Sequence, residues 1–131
     1  MVTFYDEDSI PAVYNKADIP SFEPREGVSF QYFRGNQNMV GFVTAEPGGK
    51  RNRHTHPWEQ ITCVVDGEAD FYVDGEEFSV AAGDVFFVPP NVEHELIPKP
   101  EVGCDIVAVW PVREPAVPRT SYQAEFRTDP V

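Results

Sequence analysis

Histidine and cysteine are scarce in this chain: three and two residues among 131. The two cysteines, Cys63 and Cys104, stand in separate apolar segments. Neither has a second Cys or a His at CxxC-type spacing, which argues against a thiolate metal site. With no signal-peptide pattern, both are read as free buried thiols. Long hydrophobic runs are also missing, so no segment reads as a membrane-spanning helix. The N-terminal MVTFYDEDSIPAV has neither a basic flank nor an apolar signal core, and a cytoplasmic location is the expectation. Basic residues are few, 10 Lys plus Arg against 22 Asp plus Glu, for a formal charge of −12. Such a chain repels nucleic acid and anionic membrane surfaces. The acidity fits a solvated surface or a high-salt habitat, and composition does not choose between them. No GxGxxG, P-loop or GxSxG pattern supports a nucleotide-binding or serine-hydrolase reading. No segment keeps a helical period.

What is present is a series of short aromatic and β-branched runs: VSFQYF (28–33), MVGFVTA (39–45), ITCVV (61–65), ADFYV (69–73), EFSVA (77–81), DVFFVP (84–89), HELI (94–97) and CDIVAVW (104–110). Turn residues separate them, including DG at 66–67 and at 74–75. This pattern predicts an all-β sandwich or barrel. The second DG is a strong hairpin signal. At 131 residues, the length suits a single domain. Residues 1–27, rich in Pro and acids, read as an N-terminal arm with one or two short strands. Residues 28–111 read as the barrel. Residues 112–131 read as a C-terminal extension in which SYQAEF forms a short helix or an arm.

All three histidines lie beside turns. In HTHPWEQ, placed at a strand start, His54 and His56 face the same way. Pro57 then interrupts the ladder, so parity does not simply carry through it. His94 follows the PPN turn and begins its own strand. Neutral imidazole is the commonest ligand for transition metals. An HxH pair on a strand is also often just a polar face, and by itself leaves both readings open.

The spacing of these residues resembles that of small single-domain cupins. The family's first motif matches as Gly48, five residues, His54-Thr55-His56, three residues, Gln60, six residues, Gly67. The second matches as Gly83, five residues, Pro89-Pro90-Asn91, two residues, His94. The resemblance covers roughly residues 28 to 111. It implies a double-stranded β-helix, or jelly-roll, barrel with short terminal arms, a divalent metal inside, and a homodimer in which the N-terminal arm crosses between subunits. Asn91 replaces the usual Gly, and Asn accepts the left-handed backbone such a turn needs. Pro98 replaces a usual Asn that is not a ligand.

The departure with chemical weight is Gln60, where the family usually has Glu. By strand parity Gln60, Thr62 and Val64 share one face, and Glu59, Ile61 and Cys63 the other. The implied ligand set is therefore His54, His56, Gln60 and His94, with Glu59 turned outward. Four neutral donors leave a divalent ion its full charge, which polarises a bound oxygen more strongly. They suit Ni, Zn, Fe or Mn better than Mg or Ca. A six-coordinate ion so held keeps two positions for a bidentate substrate.

A narrower resemblance joins HPWEQ and VWPVRE (109–114) to the cupins that linearise unsaturated uronates and to related polyketide cyclases. Those end the last strand with Asp-Val-Phe-Ser-Pro-x-Arg. Here Pro111 and Arg113 are kept, and Val107 stands where the acid/base Asp belongs. Arg113 is expected to fork onto a substrate carboxylate, and Asp105, two residues before Val107, is the substitute acid/base candidate. RHTHPWE also resembles small manganese cupins with oxygen-dependent cleavage activity, in which a fourth His stands at the place of Gln60. Arg53 is expected to face away from the metal. Tyr32, Phe42, Phe71, Phe87 and Trp110 read as core or pocket wall, and Trp58 as barrel mouth or dimer contact.

Three functions follow. The first is a Lewis-acid metalloenzyme acting on a small oxygenated anion (a sugar acid, keto acid or polyketide) by isomerase, lyase or cyclase chemistry. The second is an Fe- or Mn-dependent dioxygenase. The third is a non-catalytic module that binds a small molecule or metal.

Overall fold

Eight antiparallel strands form the body of the protein in a computed structural model that describes residues 13–35 and 37–111. They are β1 (Phe22–Arg25), β2 (Val28–Arg34), β3 (Asn38–Ala45), β4 (Gln60–Val73), β5 (Glu76–Ala81), β6 (Val85–Val88), β7 (His94–Pro98) and β8 (Cys104–Pro111). The main sheet runs β1-β2-β3-β8-β4-β5, and β6 and β7 also pair with β4. A single 3₁₀ turn, Lys16–Asp18, is capped by Asn15, whose side chain accepts from the Ala17 N–H. Among the described residues no helix is long and apolar enough to cross a membrane.

Strand alternation builds the interior. Val28, Phe30 and Tyr32 on β2, Met39 and Val43 on β3, and Ile106, Ala108 and Trp110 on β8 are all buried. Phe71 and Leu96 close the core from β4 and β7. The all-β expectation is met, and Asp74-Gly75 makes the expected hairpin with both residues at positive φ.

The DG at 66–67 is different from its expected role. It does not end a strand: ITCVV and ADFYV are one fourteen-residue strand, β4. The register against β8 shifts between Val64 and Asp66, a β-bulge. Before the bulge, the even-numbered Gln60, Thr62 and Val64 point inward; after it, the odd-numbered Ala69 and Phe71 do. One extra residue thus reverses the parity and keeps the core face inward. The first half of β4 pairs with β6 and β8, and most of the second half with β5 and β7. Gly67 sits at this switch with φ 78, and a Cβ there would lie 2.0 Å from the Gly103 carbonyl oxygen.

Both cysteines are free; Cys104 is buried and Cys63 half-buried. Phe87 is not core: it stands 52% exposed on the outer face of β6. The expected extension at 112–131 and the first twelve residues of the arm lie outside the described residues.

Candidate metal centre

The HxH segment is not a regular strand. His54 makes one isolated bridge with His94, giving and receiving backbone hydrogen bonds of 3.1 and 3.0 Å. His56 lies in the loop that follows, and its carbonyl accepts the Asn91 N–H at 2.8 Å. Asn91 makes that turn with φ 63, the left-handed conformation expected where the motif has Gly. Alternation nevertheless continues through Pro57: His54, His56, Trp58 and Gln60 are the more buried residues, and Thr55, Pro57 and Glu59 are exposed.

The three imidazoles gather tightly. Ring centroids of His54 and His94 are 4.4 Å apart, and those of His56 and His94 4.5 Å. One ring nitrogen from each lies within 4.8 Å of the others, a grouping able to hold a metal ion. Each ring is oriented the same way. Nδ1 of His54 sits 2.8 Å from the Asn52 carbonyl, that of His56 2.8 Å from the Trp58 carbonyl, and that of His94 2.8 Å from the Val92 carbonyl. A carbonyl only accepts, so each Nδ1 carries a proton, and the neutral imidazole then offers its Nε2 lone pair to a ligand. Such bonds fix the tautomer and orientation of metal-ligating imidazoles.

Gln60 is fully buried beside them, with Oε1 3.3 Å from Nε2 of His56. Its amide is bonded on both sides: Nε2 donates to Thr62 Oγ1 at 2.8 Å, and Oε1 accepts from Trp110 Nε1 at 3.0 Å. The donor set fits a divalent transition metal. Nε2 of His54 is buried with no hydrogen-bond partner. Nε2 of His56 and Oε1 of Gln60 face each other at 3.3 Å, where an ion between them would take a lone pair from each.

Behind His94, Glu95 is buried and bound by Arg51 at 2.6 Å and Arg53 at 3.0 Å. Burial pushes its carboxyl up, but hydrogen bonds and charge from Arg51 and Arg53 outweigh this and hold it below the ordinary range. Arg53, turned away from the metal side, also lies over the Tyr72 ring at 3.6 Å. This brace joins the His54 and His94 segments from outside, a role with no signature in residue spacing.

The acid/base expectation at Asp105 is corrected. Asp105 is exposed on the outer face of β8 and accepts from Thr44 Oγ1 at 2.9 Å. The residues of β8 that face the interior are Cys104, Ile106, Ala108 and Trp110, so strand parity sends Asp105 away from the histidines. Val107 shares its outer face. Arg113 lies outside the described residues. A cleft of about 460 Å³ lies on the outer side, lined by Pro57, Trp58, Glu59, Ile61, Val109 and Trp110, and none of the three histidines lines it. Its two tryptophans reach the centre directly: Trp58 stacks on His56 at 4.8 Å, and Trp110 bonds Gln60.

Comparison with known proteins agrees with this geometry. An uncharacterised protein of Streptomyces coelicolor is 30% identical over 71 residues, which span 54% of this chain and 68% of that one. Among solved structures, the polyketide cyclase RemF from Streptomyces resistomycificus superposes with a TM-score of 0.71 at 18% identity, covering 92% of this chain and 90% of that one. KdgF from a Halomonas species superposes with a TM-score of 0.70 at 19% identity, covering 78% and 94%. At these identities the structures speak for the fold. Residues 41–110, more than half of the chain, match the cupin domain family Cupin_2, and the protein belongs to the cupins.

Proposed function

We propose that this cupin is a Lewis-acid metalloenzyme that acts on a small oxygenated anion, with His54, His56, Gln60 and His94 holding one divalent ion of the Ni, Zn, Fe or Mn type. The observation that carries the reading is the convergence of lone pairs. Three imidazoles present Nε2, because their Nδ1 protons are committed to main-chain carbonyls. Gln60 adds an uncharged oxygen. An ion so held would polarise a substrate carbonyl or enolate oxygen with its full double charge. The protein's own part is to fix the donors, exclude water around them and seat the substrate. Trp58, stacked on His56, and Trp110, bonded to Gln60, give the centre apolar walls. Arg113 is assigned the substrate carboxylate, and Arg113→Ala is expected to raise KM more than it lowers kcat.

The protein is further proposed to act as a homodimer. Four large apolar side chains, Ile61, Val65, Val85 and Phe87, are exposed together on the outer face of the paired strands β4 and β6. Val107 and Val109 extend that face across β8. In a chain of charge −12, such an apolar patch is where a second, equally acidic copy can approach with least repulsion.

Metal analysis of protein purified without chelator, with an oxygen electrode, tests the enzymatic reading. The expected result is about one Zn or Ni per chain and no oxygen uptake on keto acids, sugar acids or diketones. Redox-active Fe or Mn with oxygen uptake would replace it by a dioxygenase. Ligand binding with no turnover, whatever the metal, would leave a binding module.

A further inference from the structure

A carboxylate offers a metal two equivalent oxygens; an amide offers one oxygen and one NH2 group that does not ligate. A glutamine ligand therefore has to be oriented, and a glutamate does not. Of Thr62 and Trp110, the two groups bonded to the Gln60 amide besides His56, one imposes that orientation. Thr62 Oγ1, at 2.8 Å from the amide nitrogen, both donates and accepts and would satisfy either amide group. The indole N–H of Trp110 only donates, and it lies 3.0 Å from Oε1. Turning the amide over would set NH2 against N–H in a fully buried place.

The indole is itself held by an absence. Across the sheet stands Gly41, where a Cβ would lie 2.5 Å from Cη2 and 2.6 Å from Cζ3 of Trp110. Any other residue at 41 displaces the ring. Tyr32 packs edge-on against the indole at 6.0 Å, closing the remaining side.

We infer that Trp110 is a positioning residue, seated on Gly41, whose indole N–H turns the carbonyl oxygen of Gln60 toward the three histidines and so makes a glutamine usable as the fourth metal ligand. This rests on the reading of Gln60 as a ligand. It also gives a physical reason why Gln60 can stand where the family usually has Glu.

The test is Co(II) titration of metal-free protein, read as affinity and as the visible d–d spectrum, with far-ultraviolet circular dichroism to confirm folding. Trp110→Phe keeps most of the ring and removes the N–H. It is expected to weaken Co(II) binding by about tenfold or more and to change the d–d bands. In the Gln60→Glu background the same Trp110→Phe change should cost much less, because either carboxylate oxygen serves. Gly41→Ala, which leaves both partners chemically intact, should reproduce the weakening. Equal losses from Trp110→Phe in the two backgrounds, or unchanged affinity and bands in Trp110→Phe, would overturn the positioning role. Unchanged affinity in Gln60→Ala would instead sink the ligand reading itself. Should Trp110→Phe fail to fold, the unmodified protein decides. The chain has two tryptophans, so two indole N–H signals are expected in its nuclear magnetic resonance spectrum. The Trp110 signal, identified by the loss of the other in Trp58→Phe, must shift on adding Zn(II); a Trp110 signal that Zn(II) leaves in place rejects the inference.

Discussion

The two halves of β4 obey opposite rules. In the second half, Ala69 and Phe71 face inward with no exposure, while Glu68 and Asp70 face out, the ordinary pattern of a sheet with one wet face. In the first half, Gln60 and Thr62 are the fully buried residues, and Ile61 and Val65 stand 44% and 56% exposed. Two polar side chains lie inside beside Val64, and two large apolar ones lie outside. A buried amide and hydroxyl are tolerated there because they bond each other and Trp110 completes the set. The exposed apolar side chains have no such internal reason. Inside, the buried amide and hydroxyl lie beside the histidine cluster; outside, Ile61 and Val65 belong to the face proposed above for a second copy.

The sharpest way to break this contrast is at the bulge that separates the halves. Gly67→Ala puts a Cβ against the Gly103 carbonyl at a positive φ and is expected to cost about 3 kcal/mol or more in urea unfolding. Gly75→Ala shares the positive φ but has nothing within 4 Å, so it should cost only about 1 kcal/mol. Similar losses at both would mean that the close approach at Gly67 does not matter. Next, Ile61→Lys combined with Phe87→Lys adds charge to the outer face. Sedimentation should then show a dimer becoming monomer, while stability of the fold changes by about 0.5 kcal/mol or less per site. A dimer that survives would move the interface elsewhere. The smallest effect concerns Cys104, which pairs with Gly67 at the bulge. Burial pushes its thiol from an ordinary 9.0 up to about 11. The unfolded chain loses that proton first, so the contribution is intact below pH 9 and is lost as pH rises from 9 through about 11. Cys104→Ala should remove this part of the alkaline slope.

Most strands were readable from the sequence because a half-buried strand writes its face into every second residue, and the turn residues mark its ends. The same rule separated Gln60 from Glu59. It failed where one residue changes the count: Asp66-Gly67 looks like a turn, and only the pairing with β8 shows a bulge inside one strand. The histidines were visible through spacing, but their orientation was not, because it depends on main-chain carbonyls that every residue possesses. In the sequence Trp110 reads as core or pocket wall; its bond to Gln60 spans fifty positions and leaves no local pattern. Asp105 was misplaced for lack of the strand's absolute phase: it shares a face with Val107, and that face is the outer one.

The three Nδ1 bonds all end on main-chain oxygens, those of residues 52, 58 and 92, each two positions from its histidine. An oxygen of that kind survives any substitution that preserves the local path of the chain. The side chains of Asn52 and Val92 can therefore vary while the imidazoles stay aimed. The orientation of the three imidazoles thus belongs to the backbone, which a substitution leaves in place more easily than it would a side-chain partner.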